Sequence, residues 1–164
     1  MTSKNTASAW AAAALALATL GAGAARAADF VTIPLEATVA APADVVWKKV
    51  GGWCDIGAWL KTTCVITSGG EEMGAVRLIA GRIEELMVAK TAWSYSYSQP
   101  KSPIDYHGTV EVRPIDKKTS KLLYTLVYDA EPLKTPEAKA ADKDRRAKMF
   151  TGVLQAMKGI AEAK

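Results

Sequence analysis

Histidine and cysteine are the scarce residues of this chain, with one His and two Cys in 164 residues. A hydrolytic triad needs a nucleophile, a histidine and an orienting acid, and His107 is the sole imidazole available. It falls on a strand face with Thr109, Glu111 and Arg113, which points it toward solvent. No His, Cys, Asp or Glu set has the spacing of a metal site, so neither a metal nor a cofactor is expected. Two cysteines are too few for a disulfide-dense scaffold, and the 12 glycines follow no period, which excludes a collagen-like repeat. With 49% hydrophobic and 23% charged residues, low-complexity disorder is excluded as well. What remains is one domain with a core to bury.

The one long apolar run is at the start. Lys4 gives a positive beginning, Ala9 to Leu20 is rich in Ala and Leu, and Ala25-Arg26-Ala27 has the small-x-small form of a cleavage site. Residues 1–27 therefore read as a signal peptide, and 28–164 as the mature domain. The other reading of the run is an uncleaved anchor, for which an Ala/Gly-rich stretch is barely long and apolar enough. Export to the periplasm or the medium follows, with no stable membrane insertion once the leader is cut. Without Lys4 and Arg26, the 21 basic residues fall to 19 against 17 acidic ones, a net of +2. The basic stretch from Lys139 to Lys148 is interrupted by Asp142 and Asp144, the pattern of a solvated helix face, and nucleic acid is not an expected partner. Cys54 and Cys64, in an oxidising compartment, read as a disulfide or else as two buried thiols.

Along the mature chain, Phe30 to Val39 alternates as a first strand with Pro34 at an edge or bulge. Pro42 to Val50 has the marks of a short helix: Pro in the first turn, Asp44 at the positive dipole end, Lys48 and Lys49 at the other, Gly51-Gly52 as the stop. Cys54 to Leu60 fits a second. Six strands follow, at 62–67, 74–80, 82–89, 92–98, 107–114 and 121–128, separated by Gly, Pro and Asp turns. Beyond Pro132 and Pro136 the period becomes helical, with Phe150, Val153, Leu154, Met157, Ile160 and Ala161 on one stripe. The order gives an α+β fold: a curved antiparallel sheet, two short helices after the first strand, and a long C-terminal helix on one face.

Ala41-Pro42-Ala43-Asp44-Val45-Val46-Trp47, Gly74-Ala75-Val76-Arg77, Glu84-Glu85-Leu86 and Asp105-Tyr106-His107-Gly108-Thr109, in this order and spacing, resemble the SRPBCC superfamily, which includes START-like, polyketide cyclase/dehydratase and birch-pollen-allergen groups. The resemblance covers 30–161. It implies a helix-grip fold with an internal cavity for a lipid-like or aromatic guest. By the Gly-x-x-Arg, Glu-x-Leu and Asn-Tyr motifs of the superfamily's plant hormone receptors, it also implies positions in or near the pocket for Arg77, Glu84 and Tyr106, with Asp105 where Asn is usual.

If Ala80-Gly81 is a two-residue turn, Arg77 stands opposite Glu84, on a face with Ala75, Ile79, Arg82 and Leu86. The pair is then either a pocket feature or a surface ion pair. Alternation groups Trp93, Tyr95 and Tyr97 on one strand face, and Tyr106, Gly108 and Val110 on another, as pocket wall or as ordinary core. The expected function is an exported binding or carrier protein, monomeric or weakly dimeric, for a small hydrophobic molecule. Arg77, Glu84 and Tyr106 hold its polar end. Ile79, Leu86, Tyr95, Tyr97, Gly108, Val110 and the Phe150/Val153/Leu154/Met157 stripe make the wall. The alternatives are a cofactor-free cyclase or dehydratase, with Glu84 and a tyrosine as acid and base, and a partner-binding module using exposed tryptophans.

Overall fold

Proline has no N–H to give to a ladder, and the strand carrying Pro34, β1 (Phe30–Val39), lies at one edge of the sheet. In a computed structural model describing residues 28–163, the chain continues through α1 (Ala43–Val50), α2 (Ile56–Leu60), β2 (Cys64–Ser68), β3 (Val76–Ile79), β4 (Ile83–Thr91), β5 (Ser94–Ser98), β6 (His107–Pro114), β7 (Ser120–Asp129) and α3 (Pro136–Glu162). The seven strands form one antiparallel sheet in the order β1-β7-β6-β5-β4-β3-β2. Apart from the step from β1 to β7, it is a meander of hairpins. The residues read as a leader lie outside those described.

Two register shifts bend the sheet, between Ile66 and Ser68 on β2 and between Met87 and Ala89 on β4. Each puts an extra residue into one strand and increases the local twist, which makes one face concave. Into that face point Tyr95 and Tyr97 of β5, Gly108, Val110 and Val112 of β6, and Leu122, Tyr124, Leu126 and Tyr128 of β7, all buried. Polar residues alternate with them: His107, Thr109 and Glu111 occupy the other face of β6. Helix α3 crosses the concavity with Phe150, Val153, Leu154, Met157 and Ala161 inward. Its start is fixed by Thr135, whose Oγ1 accepts from Ala138 N at 3.1 Å, and by Pro136 in the first turn. Its end is held by Lys49 Nζ, which donates to the Ala161 carbonyl at 3.2 Å and also to that of Ala163; a cation there suits the negative dipole end.

The hairpin between β3 and β4 departs from the sequence expectation. Ala80 and Gly81 do take positive φ, +51° and +66°, and Arg82 N donates to Ile79 O at 3.1 Å. Arg82 nevertheless stays out of the ladder as an extra residue. Pairing runs Ile79 with Ile83, Leu78 with Glu84, Arg77 with Glu85 and Val76 with Leu86. A one-residue slip turns every side chain of the strand over. Glu85 and Met87 therefore face inward, while Glu84 and Leu86 do not.

The tryptophans also depart from expectation. Trp53 and Trp59 are 1% and 4% exposed and Trp47 is half-buried, so most of the aromatic surface of this region is turned into the core. Trp93, at 37%, lies in the β4–β5 turn and not on the face with Tyr95 and Tyr97. Helix α2 begins at Ile56, two residues later than expected, because Cys54 and Asp55 form the turn before it.

Cys54 and Cys64 are joined in a disulfide that ties this turn to the start of β2, with Cα atoms 5.5 Å apart. Closing this short loop is worth about 2.7 kcal/mol on the chain-entropy estimate. The Cys54→Ser/Cys64→Ser variant should melt roughly 5–12 °C lower in a calorimetric scan, with the near-UV spectrum of the buried tryptophans retained below the transition.

Candidate functional site

Arg77 is fully buried, and its charge has to be met inside the protein. Nε and Nη2 donate to Glu85 Oε2 at 2.8 and 2.6 Å, and Nη1 donates to the Trp53 carbonyl. The guanidinium carbon sits 3.8 Å from the Trp53 ring centroid, 5.2 Å from that of Tyr97 and 5.6 Å from that of Tyr95. Glu85 is 2% exposed, and its second oxygen, Oε1, accepts from Gln99 Nε2 at 2.9 Å. One arginine thereby links the α1–α2 turn, β4 and the segment after β5. Burial works to lower the Arg77 pKa, but Tyr95 and then Glu85 outweigh it; the net shift is upward and the guanidinium stays charged.

Beside this cluster lies a cavity of about 560 Å³, within the range of small-molecule sites. Ile56 and Leu60 of α2, Ile79 of β3, Ile83 and Glu85 of β4, and Tyr97 of β5 form one part of its wall. The Gln99–Tyr106 connection and Arg146, Met149 and Phe150 of α3 form another, with Tyr124 of β7. The lining is mostly apolar. Its polar groups are the Glu85–Gln99 pair, the hydroxyls of Tyr97 and Tyr124 bonded to each other at 2.7 Å, the Tyr106 hydroxyl, Ser102 and Arg146. The C-terminal half of α3 closes the rest of the concavity with packed side chains.

Gly108 makes room for the tyrosine pair. A Cβ there would sit 2.3 Å from the Tyr97 ring, so only glycine lets that ring lie flat across β6 toward Tyr124. Asp105 has φ of +45°, a conformation that Asn and Asp tolerate better than most residues, and its Oδ1 meets His107 Nε2 at 3.0 Å outside the cavity. Position 105 thus shapes the turn that delivers Tyr106 inward.

Of the residues singled out from sequence, Ile79, Tyr97, Tyr106 and Phe150 line the cavity. Arg77 and Tyr95 stand behind Glu85 in the cation–aromatic cluster. Val110, Val153, Leu154 and Met157 are buried in the core and do not line it. Glu84 faces away and meets Lys101 Nζ at 2.9 Å; Leu86 is on the same outer side. These two are corrections, and both follow from the shifted hairpin. Sequence reasoning missed Glu85, Gln99, Tyr124 and Arg146. Period-two alternation in β7, Leu122-x-Tyr124-x-Leu126-x-Tyr128, was a signal sufficient to find Tyr124.

Fold and site together define a helix-grip protein of the START and polyketide-cyclase (SRPBCC) superfamily, with a mostly apolar cavity between the sheet and α3. The chain belongs to the polyketide cyclase/dehydrase and lipid transport family, whose model matches residues 31–162. Among solved structures it is similar to a Streptomyces aromatase/cyclase, at 22% identity over 81% of this chain and 94% of that one, TM-score 0.65. It is also similar to a START superfamily protein from Mycobacterium smegmatis, at 13% identity over 80% and 97%, TM-score 0.64, and to a Thermobifida fusca protein, at 24% over 77% and 90%, TM-score 0.63. No curated protein matches the sequence.

Glu85→Gln should cost about 3–5 kcal/mol in urea denaturation, because it strands a buried guanidinium, whereas Arg77→Met/Glu85→Leu should recover most of that loss. Burial also raises the phenol pKa values of Tyr97, Tyr106 and Tyr124 and pushes Tyr95 up to about 12. A phenol raised above its unfolded value of about 10 contributes its full stability below that pH and loses it as pH climbs toward the folded value. On alkaline titration, the phenolate absorbance of these tyrosines should therefore appear together with unfolding, not before it.

Proposed function

We propose that this protein binds and carries a small hydrophobic molecule with a polar end, and that the guest occupies the cavity between α2, the Gln99–Tyr106 connection and α3. The observation that carries this reading is the cavity itself: large enough for a guest, mostly apolar, and with its few polar groups already oriented by neighbours. A family whose description joins cyclisation and dehydration to lipid transport agrees with it. Export is part of the same proposal, supported by the leader-like residues 1–27 and by a disulfide, a bond that persists in oxidising compartments.

The rival is a cyclase or dehydratase using a buried carboxylate beside tyrosines, with Glu85 in place of the expected Glu84. General acid–base work needs a carboxyl free to take and give a proton. Both oxygens of Glu85 are engaged, one by Arg77 and one by Gln99, which favours a positioning role in a binder.

Protein recovered from the exported fraction should begin at Ala28 and, by native mass spectrometry, carry an adduct of a few hundred daltons. A neutral fluorescent probe such as N-phenyl-1-naphthylamine should bind and be displaced by that adduct. Ile83→Trp, which fills the cavity, should weaken probe binding at least tenfold, and Glu84→Gln, outside it, should leave binding unchanged. Turnover of a polyketide-like substrate that is lost in a folded Glu85→Gln variant would replace the carrier reading with the enzyme.

A further inference from the structure

The polar groups that line the cavity differ in whether their hydrogen bonds are already used. Glu85 is fully committed, and its charge is cancelled by Arg77. The Tyr97 and Tyr124 hydroxyls are bonded to each other. Arg146 is different. Its Nε donates to Asp142 Oδ2 at 2.7 Å one helical turn away, and its guanidinium lies over the Tyr128 ring at 4.4 Å and 5.6 Å from the ring of Tyr106. These contacts hold the plane of the group, with the Tyr128 hydroxyl close by, and leave Nη1 and Nη2 without a carboxylate or carbonyl partner. Asp142 is also shared with Arg145, so two guanidiniums face one carboxylate and a net positive charge remains at this place.

We propose that Arg146 binds the head group of the guest and that the guest is an amphiphile bearing a carboxylate. This rests on the carrier reading of the same cavity. An arginine whose plane is already fixed, with two parallel N–H donors not bound to any acid, matches a carboxylate in a bidentate pair. The other end of the cavity reinforces the direction. The Glu85–Arg77 pair is neutral overall and its hydrogen bonds are already made, so the inner end accepts an apolar chain or a neutral hydroxyl beside the tyrosine pair. The carboxylate is thereby oriented toward α3, near the exposed Met149, and the chain inward.

The test compares three guests with the same twelve-carbon chain, all below their micellar concentrations: dodecanoate, dodecanol and dodecyltrimethylammonium. Each is titrated against N-phenyl-1-naphthylamine bound to the full mature domain. The wild type should prefer dodecanoate over dodecanol by about tenfold, the size expected for hydrogen bonds to a charged partner, and should bind the ammonium weakest. The preference should shrink as salt is raised. Arg146→Gln should lower the dodecanoate affinity until dodecanoate and dodecanol bind alike. Arg146→Lys, which keeps the charge but not the fork, should retain part of the preference and serves if the Gln variant does not fold. Equal binding of dodecanoate and dodecanol by the wild type, or a preference that survives Arg146→Gln, overturns the head-group assignment and leaves the container standing. Failure of all three guests and the probe to bind overturns both.

Discussion

A guanidinium without access to water must collect its partners from the protein, and Arg77 draws them from parts of the chain that are far apart in sequence. The Trp53 carbonyl comes from the α1–α2 turn, the Glu85 carboxylate from β4, and three aromatic rings close over what is left. Leaving any of these out would strand a buried charge, so the α1–α2 turn, the β3–β4 hairpin and the end of β5 are held in one arrangement. Such a pair adds little net stability compared with apolar residues of the same size. Its effect is on which arrangement is formed.

That arrangement sets the boundary of the cavity. Gln99 is positioned by Glu85, and the connection from Gln99 to Tyr106 forms part of the wall. The disulfide anchors the turn that supplies the Trp53 carbonyl and stands just before α2, whose Ile56 and Leu60 also face the cavity. The hollow persists because the residues around it are fixed by bonds of their own on the far side. Tyr97 and Tyr124 satisfy each other, and Arg146 is steadied by Asp142 and Tyr128. The C-terminal half of α3, with Val153, Leu154 and Met157, is tightly packed. Rigid packing at one end and preserved space at the other divide a single concave face between a packed core and a cavity.

Much of this was legible in the amino acids. The bounds of β1 and β6 were read as they stand, α3 and its inward stripe were plain from the helical period, and Tyr95, Tyr97, Tyr106 and Gly108 fell on the concave face by simple alternation. The error that exchanged site residues lay in one hairpin. Ala80-Gly81 does make a left-handed turn, but Arg82 enters as a supernumerary residue, and the choice between Glu84 and Glu85 is reversed. Two adjacent glutamates offer no hydrophobic contrast from which alternation could decide.

The sequence by itself determined the order of elements, the faces of the strands whose apolar and polar residues alternate, and the amphipathic side of the last helix, because these depend on near neighbours and on fixed backbone periods. Only the tertiary structure decided which glutamate meets the buried arginine, which tryptophans vanish into the core, and that Arg146, on a helix face rich in charge, borders the guest space. Those outcomes depend on register and on contacts between residues tens of positions apart, where one extra residue in a turn exchanges the inside of a strand for its outside.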